Sequence, residues 1–510
     1  MSRSRRFLGG LFLSYGYQGM LMLAGLVLTP FYLRRIGQHD YGLWLVGTQL
    51  LTYLSLTDFG VVALLPLETA YATGRAGSAD NARDLPDIVG QTARLVLYQL
   101  PFVIAVALAM WFAIPAEWQG LRGPLALVLL GFVIAFPLRI FPALLQGLQD
   151  LSFVNGLQII NWLVSTAVAV SGVLAGWSLY SLAAGWLLSQ TFLAPVYFFR
   201  LRRRFPGVLP DRLPSFDWGS SRKQLGKGFW INVAQIAELL MSNTDMLIIG
   251  KVLGPAAVVP YACTGKLVSV LANQANILMH NAAPGLCEVK TGETREHTFS
   301  VLTALTHGVL AFSGLVCCVV LVVNHWFVNW WVTAGQYGGF ALTVAIVVNV
   351  LFGHWKAMTA YTVFCFGHQR RLSLTNLTNG LVTVGASIGL TVILGPIGAP
   401  IGALVGAMSV SLPLNLSKIA EDTGTSMVQL IGAMLGGLWW RLMLVGAATL
   451  AVALRWSPQN LAQASAAAVG VSAVYLAVVF PIVMDSPLGN YVRPYLTSFR
   501  AKYAVEAKAS

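Results

Sequence analysis

Apolar runs of about 20 residues recur from one end of this chain to the other, and they restrict how its backbone can fold. Hydrocarbon offers no water to a free N–H or C=O, so a spanning segment is either a helix or a strand of a closed barrel. Barrel strands alternate apolar and polar residues over roughly ten positions, whereas the runs here are continuous. The chain has 510 residues, 56% hydrophobic and only 10% charged, where a soluble domain carries about 25% charged residues. Its mean hydropathy is +0.70. The reading is an all-α polytopic membrane protein.

Fourteen spans are expected, near 9–33, 40–64, 89–113, 123–148, 152–175, 178–200, 228–253, 256–284, 298–323, 339–366, 371–394, 396–416, 430–454 and 462–484. The N-terminal MSRSRRFLGGLFLSYGYQG has the outline of a signal peptide. Its apolar segment runs past Leu28 without a small-residue cleavage motif, so it reads as the first span. With the N-terminus inside, 23 of the 32 Lys and Arg fall in cytoplasmic segments. Five (Arg34, Arg35, Arg122, Lys251, Arg455) fall outside, and four (Arg139, Lys266, Lys356, Arg441) lie within spans. This asymmetry puts both termini in the cytoplasm. The net charge of +13 follows from such loops beside anionic lipid headgroups and points away from nucleic acid. Five cysteines without a CxxC pair give neither a disulfide framework nor a metal site.

The densest basic stretch, Arg200 to Lys227, divides the chain into two similar lengths that resemble each other. Arg34-Arg-Ile-Gly37 returns as Lys251-Val-Leu-Gly254, 217 residues on, and Gln146-Gly-Leu-Gln149 returns as Phe366-Gly-His-Gln369 after about 220. The expectation is two six-helix lobes related by an internal repeat, plus two C-terminal helices: 1–204, a basic linker 205–227, 228–416, and 417–510. Repeated lobes around a central site are an architecture of alternating-access transporters.

Polar residues inside spans are where function is expected. In the span 256–284, Lys266, Ser269, Asn273, Asn276 and His280 recur at steps of three and four and share one helix face. Arg139, Lys266 and Lys356 lie near mid-membrane, where a cation costs at least about 2.5–3.5 kcal/mol and usually marks an ion or substrate path. The ordinary alternative is pairing with a carboxylate: Glu238 and Asp245 lie on the span 228–253, and Asp58 and Glu68 near the end of the second span. Several cavity cations suit an anionic ligand, since Arg binds phosphate bidentately and Lys acts as a mobile point charge. Asn, Gln, Ser and Thr nearby suit hydroxyl groups, although membrane helices also use them to bind one another. Histidines 280, 307 and 354 could carry protons or be satisfied structurally. No GxxxxGK[ST] loop is present, so ATP is not the direct energy source. Neither a nucleophile–base constellation nor a large catalytic loop is visible, so no enzyme activity and no cofactor are expected.

The segment TPFYLRRIGQHDYGLWLVGTQLLTYLSLTDFG resembles the polysaccharide or O-antigen flippases of the multidrug/oligosaccharidyl-lipid/polysaccharide (MOP) transporter superfamily. The residues that carry it are Tyr32, Leu33, Arg34, Gly37, Tyr41, Gly42, Trp44, Asp58 and Gly60. The resemblance implies two six-helix lobes around a central cavity. It also implies an undecaprenyl-pyrophosphate-linked oligosaccharide as substrate, moved to the outer leaflet, with a polysaccharide polymerase or export machinery and membrane lipids as partners. On this reading Arg139, Lys266, Lys356, Asn273 and Asn276 bind substrate, while Arg34, Asp58, Glu238 and Asp245 serve coupling or gating. The rival is a cation-coupled multidrug exporter of the same superfamily, for which acidic residues would dominate the cavity. Reporter fusions test the topology: alkaline phosphatase should be inactive when joined near residue 210 and active when joined near residue 119, and the opposite pattern would invert the orientation.

Overall fold

Every regular element among the described residues is helical. The structure, a computed structural model, describes residues 3–75, 84–214, 218–292, 294–489 and 493. The basic residues expected at 83 and in the tail beyond 493 lie outside them, as does the side chain of His280. The helices are α1 (Arg3–Ile36), α2 (Gln38–Leu54), α3 (Val61–Arg75), α4 (Asp84–Phe112), α5 (Gln119–Ala135), α6 (Ile140–Gly147), α7 (Leu151–Leu174), α8 (Leu179–Thr191), α9 (Ala194–Arg204) and α10 (Trp218–Ser242). They continue with α11 (Asp245–Val252), α12 (Val258–Gly292), α13 (Arg295–Trp331), α14 (Phe340–Cys365), α15 (Gln369–Leu394), α16 (Gly398–Gly406), α17 (Leu412–Thr423), α18 (Met427–Arg455) and α19 (Leu461–Asp485).

Among the described residues, eleven helical stretches are long and apolar enough to cross a membrane, or twelve if the bent pair Gln38–Asp58 and Val61–Thr73 is one span. The fourteen expected spans differ from this number for two reasons. α10 carries Arg222, Lys223, Lys227 and Glu238, too polar a sequence to qualify. Gln369–Thr423 qualifies as a single apolar stretch of 55 residues, although α15 and α16 within it pack against each other.

The chain forms two compact units: Met1–Leu239 with Gly254–Val258, and Leu240–Leu253 with Val259–Ser510. The division expected from composition at 205–227 falls earlier, because most of α10 packs within the first unit. There the Gln224 amide lies within hydrogen-bond reach of Glu68 and Thr92, and Asn232 Nδ2 donates to the Leu56 carbonyl at 2.9 Å.

The pattern from Tyr32 to Gly60 does mechanical work in this unit. Gly37 opens α2 at φ 92°, a backbone state that L side chains rarely adopt. At Gly42 the Pro255 carbonyl comes so close that a Cβ would lie 2.0 Å from its oxygen, and Gln38 Nε2 donates to the Ala256 carbonyl at 2.8 Å. The α2–α3 bend turns through two left-handed residues, Phe59 (φ 50°) and Gly60 (φ 72°). Asp58 Oδ1 accepts from the Gly60 N–H at 2.8 Å and holds that turn.

In the second unit α13 is the axis. Thr294 caps its N-terminus by accepting from the His297 N–H. Its 37 residues run for about 55 Å at 1.5 Å per residue, and α14, α18 and α19 pack on it. Thus the last two long helices, expected as a separate 417–510 segment, belong to this unit. The closest crossing is α15 on α16. Gly398, Gly402 and Gly406 are spaced by four, and a Cβ at any of them would lie 2.2–2.3 Å from α15 atoms. Membrane helices that gain little from hydrophobic burial associate through such small residues.

Two turn conformations recur along the chain. Gly37 and Gly254 share φ 92° with ψ 161° and 158°. Asp150 (φ −87°, ψ 43°) and His368 (φ −90°, ψ 45°) precede α7 and α15 in the same conformation, 218 residues apart rather than about 220. Gly60→Val should lower the melting temperature in detergent, by at least about 1–2 kcal/mol of stability from the left-handed backbone alone. A Cβ there would also lie 2.6 Å from the Gly228 carbonyl oxygen. Gly156→Ala, where nothing lies within 4 Å, is the control that should not destabilise.

Candidate functional site

The membrane helix that carries Arg139 is broken at that residue. The sequence FPLRIFP places Pro137 and Pro142 around it. Proline has no N–H to give and clashes with the preceding turn, so α-helical pairing fails locally. α5 ends at Ala135, a 3-10 turn covers Pro137–Arg139, and α6 resumes at Ile140. Non-helical backbone at membrane depth is tolerated where protein or a polar cavity meets it.

Both conditions are present. Arg139 Nη2 lies 3.5 Å from Asp58 Oδ2, with side chains 34% and 4% exposed. Asp58 thus serves two neighbours, one oxygen toward the Gly60 N–H and the other toward the guanidinium, while its own carbonyl accepts from Gln99 Nε2 at 3.3 Å. Arg139 Nη1 is buried and has no partner among the described residues. Asp58 therefore fixes one edge of the guanidinium, and the other is left without a hydrogen bond among the described residues.

Two adjoining clefts in the first unit share Arg139, Ala135 and Gln190. One, of about 310 Å³, is lined further by Thr48, Thr52, Ser55 and Trp186. The other, of about 380 Å³, is lined by Gln158, Asn161, Trp162, Ser165, Ser189 and Tyr197, among others. A glycine sets a helix crossing beside this second cleft. α8 crosses α7 at Gly185, where a Cβ would lie 2.7 Å from the Ser165 carbonyl oxygen. One turn later the Ser189 carbonyl accepts from Asn161 Nδ2 at 2.9 Å.

The other expected site residues fall as follows. Arg34 is exposed in the last turn of α1, where a cation complements the helix carbonyls; the carboxylate of Asp58 is engaged by Arg139 instead. Glu238 is exposed on the part of α10 within the first unit. In the second unit Lys356 Nζ lies 3.7 Å from Met241 Sδ, which also meets the Asn379 amide. Asp245 Oδ2 accepts from the Tyr261 hydroxyl at 2.7 Å. On α12, Val268, Ala272 and Met279 point into the core of the unit. Lys266, Asn273 and Asn276 are half-buried and Ser269 is exposed, so the polar stripe is turned off that core. His354 Nδ1 meets Ser313 Oγ at 2.6 Å and His307 Nε2 meets the Ala433 carbonyl at 3.0 Å; both rings are satisfied within the second unit.

Asn161, Ser165, Ser189 and Gln190 were not singled out in the sequence. A signal existed: Gln158, Asn161, Trp162 and Ser165 recur at steps of three and four on α7.

The model of a family described as polysaccharide biosynthesis protein matches residues 92–336. No curated protein matches the chain in sequence. Among solved structures, lipid II flippase MurJ in an inward closed conformation is similar with a TM-score of 0.64 at 9% identity, covering 93% of this chain and all of that one. An inward-facing multidrug resistance MATE family transporter of the MOP superfamily is similar at 0.54 and 15% identity, covering 80% of this chain and 96% of that one. A MOP superfamily transporter from Pyrococcus furiosus gives 0.50 at 14% identity, covering 89% and 95%. The chain is a multi-pass helical membrane protein with the fold of MOP superfamily transporters. The part of the chain that matches a family model, residues 92–336, resembles polysaccharide biosynthesis proteins.

A double-mutant cycle tests the ion pair. Asp58→Asn and Arg139→Gln should each destabilise the protein, and the double variant should lose about 1–2 kcal/mol less than their sum, a coupling kept modest because Arg139 is one-third exposed. Denaturation of the purified variants reads this directly, and strict additivity would mean that the pair does not couple.

Proposed function

We propose that this protein is a flippase that moves an undecaprenyl-pyrophosphate-linked oligosaccharide from the cytoplasmic to the outer leaflet by alternating access. The products would serve surface polysaccharide synthesis, as O-antigen, capsule or exopolysaccharide. The observation that carries this reading is the Arg139 guanidinium at a helix break, anchored on one edge by Asp58 and unpartnered on the other. Such a group donates charge-assisted hydrogen bonds to a phosphate without having to leave its anchor. The clefts on either side are lined by amides and hydroxyls, which match a glycan; the polyprenyl chain would stay in lipid. Lys266 and Lys356 add cations in the second unit, and Asn273 and Asn276 add amides. The setting is a bacterial inner membrane with both termini in the cytoplasm, beside a polysaccharide polymerase or export machinery. On this reading the protein is a carrier and not an enzyme.

One observation favours a cation-coupled multidrug exporter: the Asp245 carboxylate held by Tyr261 in the second unit. A cationic drug, however, would meet Arg139 as a like charge. The two readings separate in a strain depleted of the protein. The flippase reading expects lipid-linked oligosaccharide to accumulate in the cytoplasmic leaflet and Arg139→Gln to slow its appearance outside by about ten- to hundredfold, the loss of a charged hydrogen bond. Unchanged glycan with new drug sensitivity would support the exporter.

A further inference from the structure

We propose that the cleft between α5–α6, α7 and α8–α9 is a saccharide subsite in which Asn161 accepts a hydrogen bond from a sugar hydroxyl. This rests on the flippase reading and says which residues of the first unit read the glycan.

Three polar atoms of residues lining this cleft are buried without a partner among the described residues: Arg139 Nη1, Asn161 Oδ1 and Ser165 Oγ. Each buried and unmade hydrogen bond is costly, so a coincidence of three at one cavity points to a ligand that completes them. Their chemistry is specific. The Asn161 amide is fixed in direction, because Nδ2 donates to the Ser189 carbonyl, so Oδ1 offers only an acceptor. A phosphate or pyrophosphate has acceptors alone at its oxygens and cannot use it. Arg139 Nη1 is only a donor, and Ser165 Oγ both gives and takes. Donor, acceptor and hydroxyl together fit a ligand whose own groups give and accept, which a polyol does. Trp162 and Tyr197 supply apolar wall to the same cavity, suited to the C–H face of a sugar ring. At about 380 Å³ the space falls within the roughly 300–1,000 Å³ of small-molecule sites.

The test is saturation-transfer NMR on the purified full-length protein with neutral methyl glycosides of glucose, galactose, mannose and rhamnose, none carrying phosphate or lipid. At least one should give a saturable signal, and Asn161→Ala should weaken its binding by about three- to tenfold, the loss of one neutral hydrogen bond. Asn161→Asp, which keeps an acceptor at the same place, should bind more tightly than Asn161→Ala, and it remains informative if the alanine variant fails to fold. Binding unchanged in Asn161→Ala, or no signal from any glycoside at tens of millimolar with the native protein, overturns the subsite. A leaflet-resolved assay of native protein in liposomes with lipid-linked oligosaccharide keeps the two readings apart. Asn161-dependent glycoside binding without flipping would leave the subsite standing and remove the flippase reading. Flipping with Asn161-independent binding would remove the subsite alone.

Discussion

Asp58 is almost fully buried, and three otherwise separate parts of the first unit meet on it. Its carboxylate holds the left-handed turn that lets α2 bend into α3 and receives the guanidinium from the broken helix α5–α6. Its carbonyl takes the amide of Gln99 from α4. A buried carboxylate is expensive unless it is both paired and hydrogen-bonded, and here each requirement is met by a different element. The consequence is mutual. The bend needs Asp58, Asp58 needs a cation, and the cation is delivered by a helix that two prolines have interrupted. The polar clefts then form beside a guanidinium whose position is set before any ligand arrives.

The rest of the architecture follows from the scarcity of hydrophobic driving force between helices in a bilayer. Close contact is made with small residues, as where Gly185 of α8 meets α7 and where Gly398, Gly402 and Gly406 of α16 meet α15. These crossings also have chemical effects. When α8 lies on α7 at Gly185, the Ser189 carbonyl comes within reach of Asn161 and fixes the direction of its amide. Packing therefore decides which atom of a side chain is left without a partner. In the second unit comparable forces absorb other polar groups: Tyr261 meets Asp245, Met241 meets Lys356 and Asn379, and Ser313 meets His354.

Much of this was legible in the residues. Continuous apolar runs required membrane helices because an unsatisfied backbone is intolerable in hydrocarbon. The cation Arg139 stood out because its cost demanded a partner, and Asp58 was among the few carboxylates available. The pattern from Tyr32 to Gly60 carried the resemblance, and its residues serve the backbone: Gly37 and Gly60 take left-handed conformations, and Gly42 admits a carbonyl. Arg34, which the same pattern contains, lies exposed in the last turn of α1. On α12, Lys266, Ser269, Asn273 and Asn276 are turned away from the core of their unit.

The sequence by itself determined the solvent and the class of fold, because hydropathy and helical period are properties of neighbouring residues along one chain. It also marked Arg139 as a group in need of a counter-charge. Only the tertiary structure decided that Asp58 supplies it, that one guanidinium nitrogen is buried without a partner among the described residues, and that the Asn161 nitrogen is the atom that is engaged. Those outcomes depend on contacts between residues as far apart as 58 and 139 or 161 and 189, and on close approaches set by glycines. No periodicity records such contacts, because they arise only when separate helices meet.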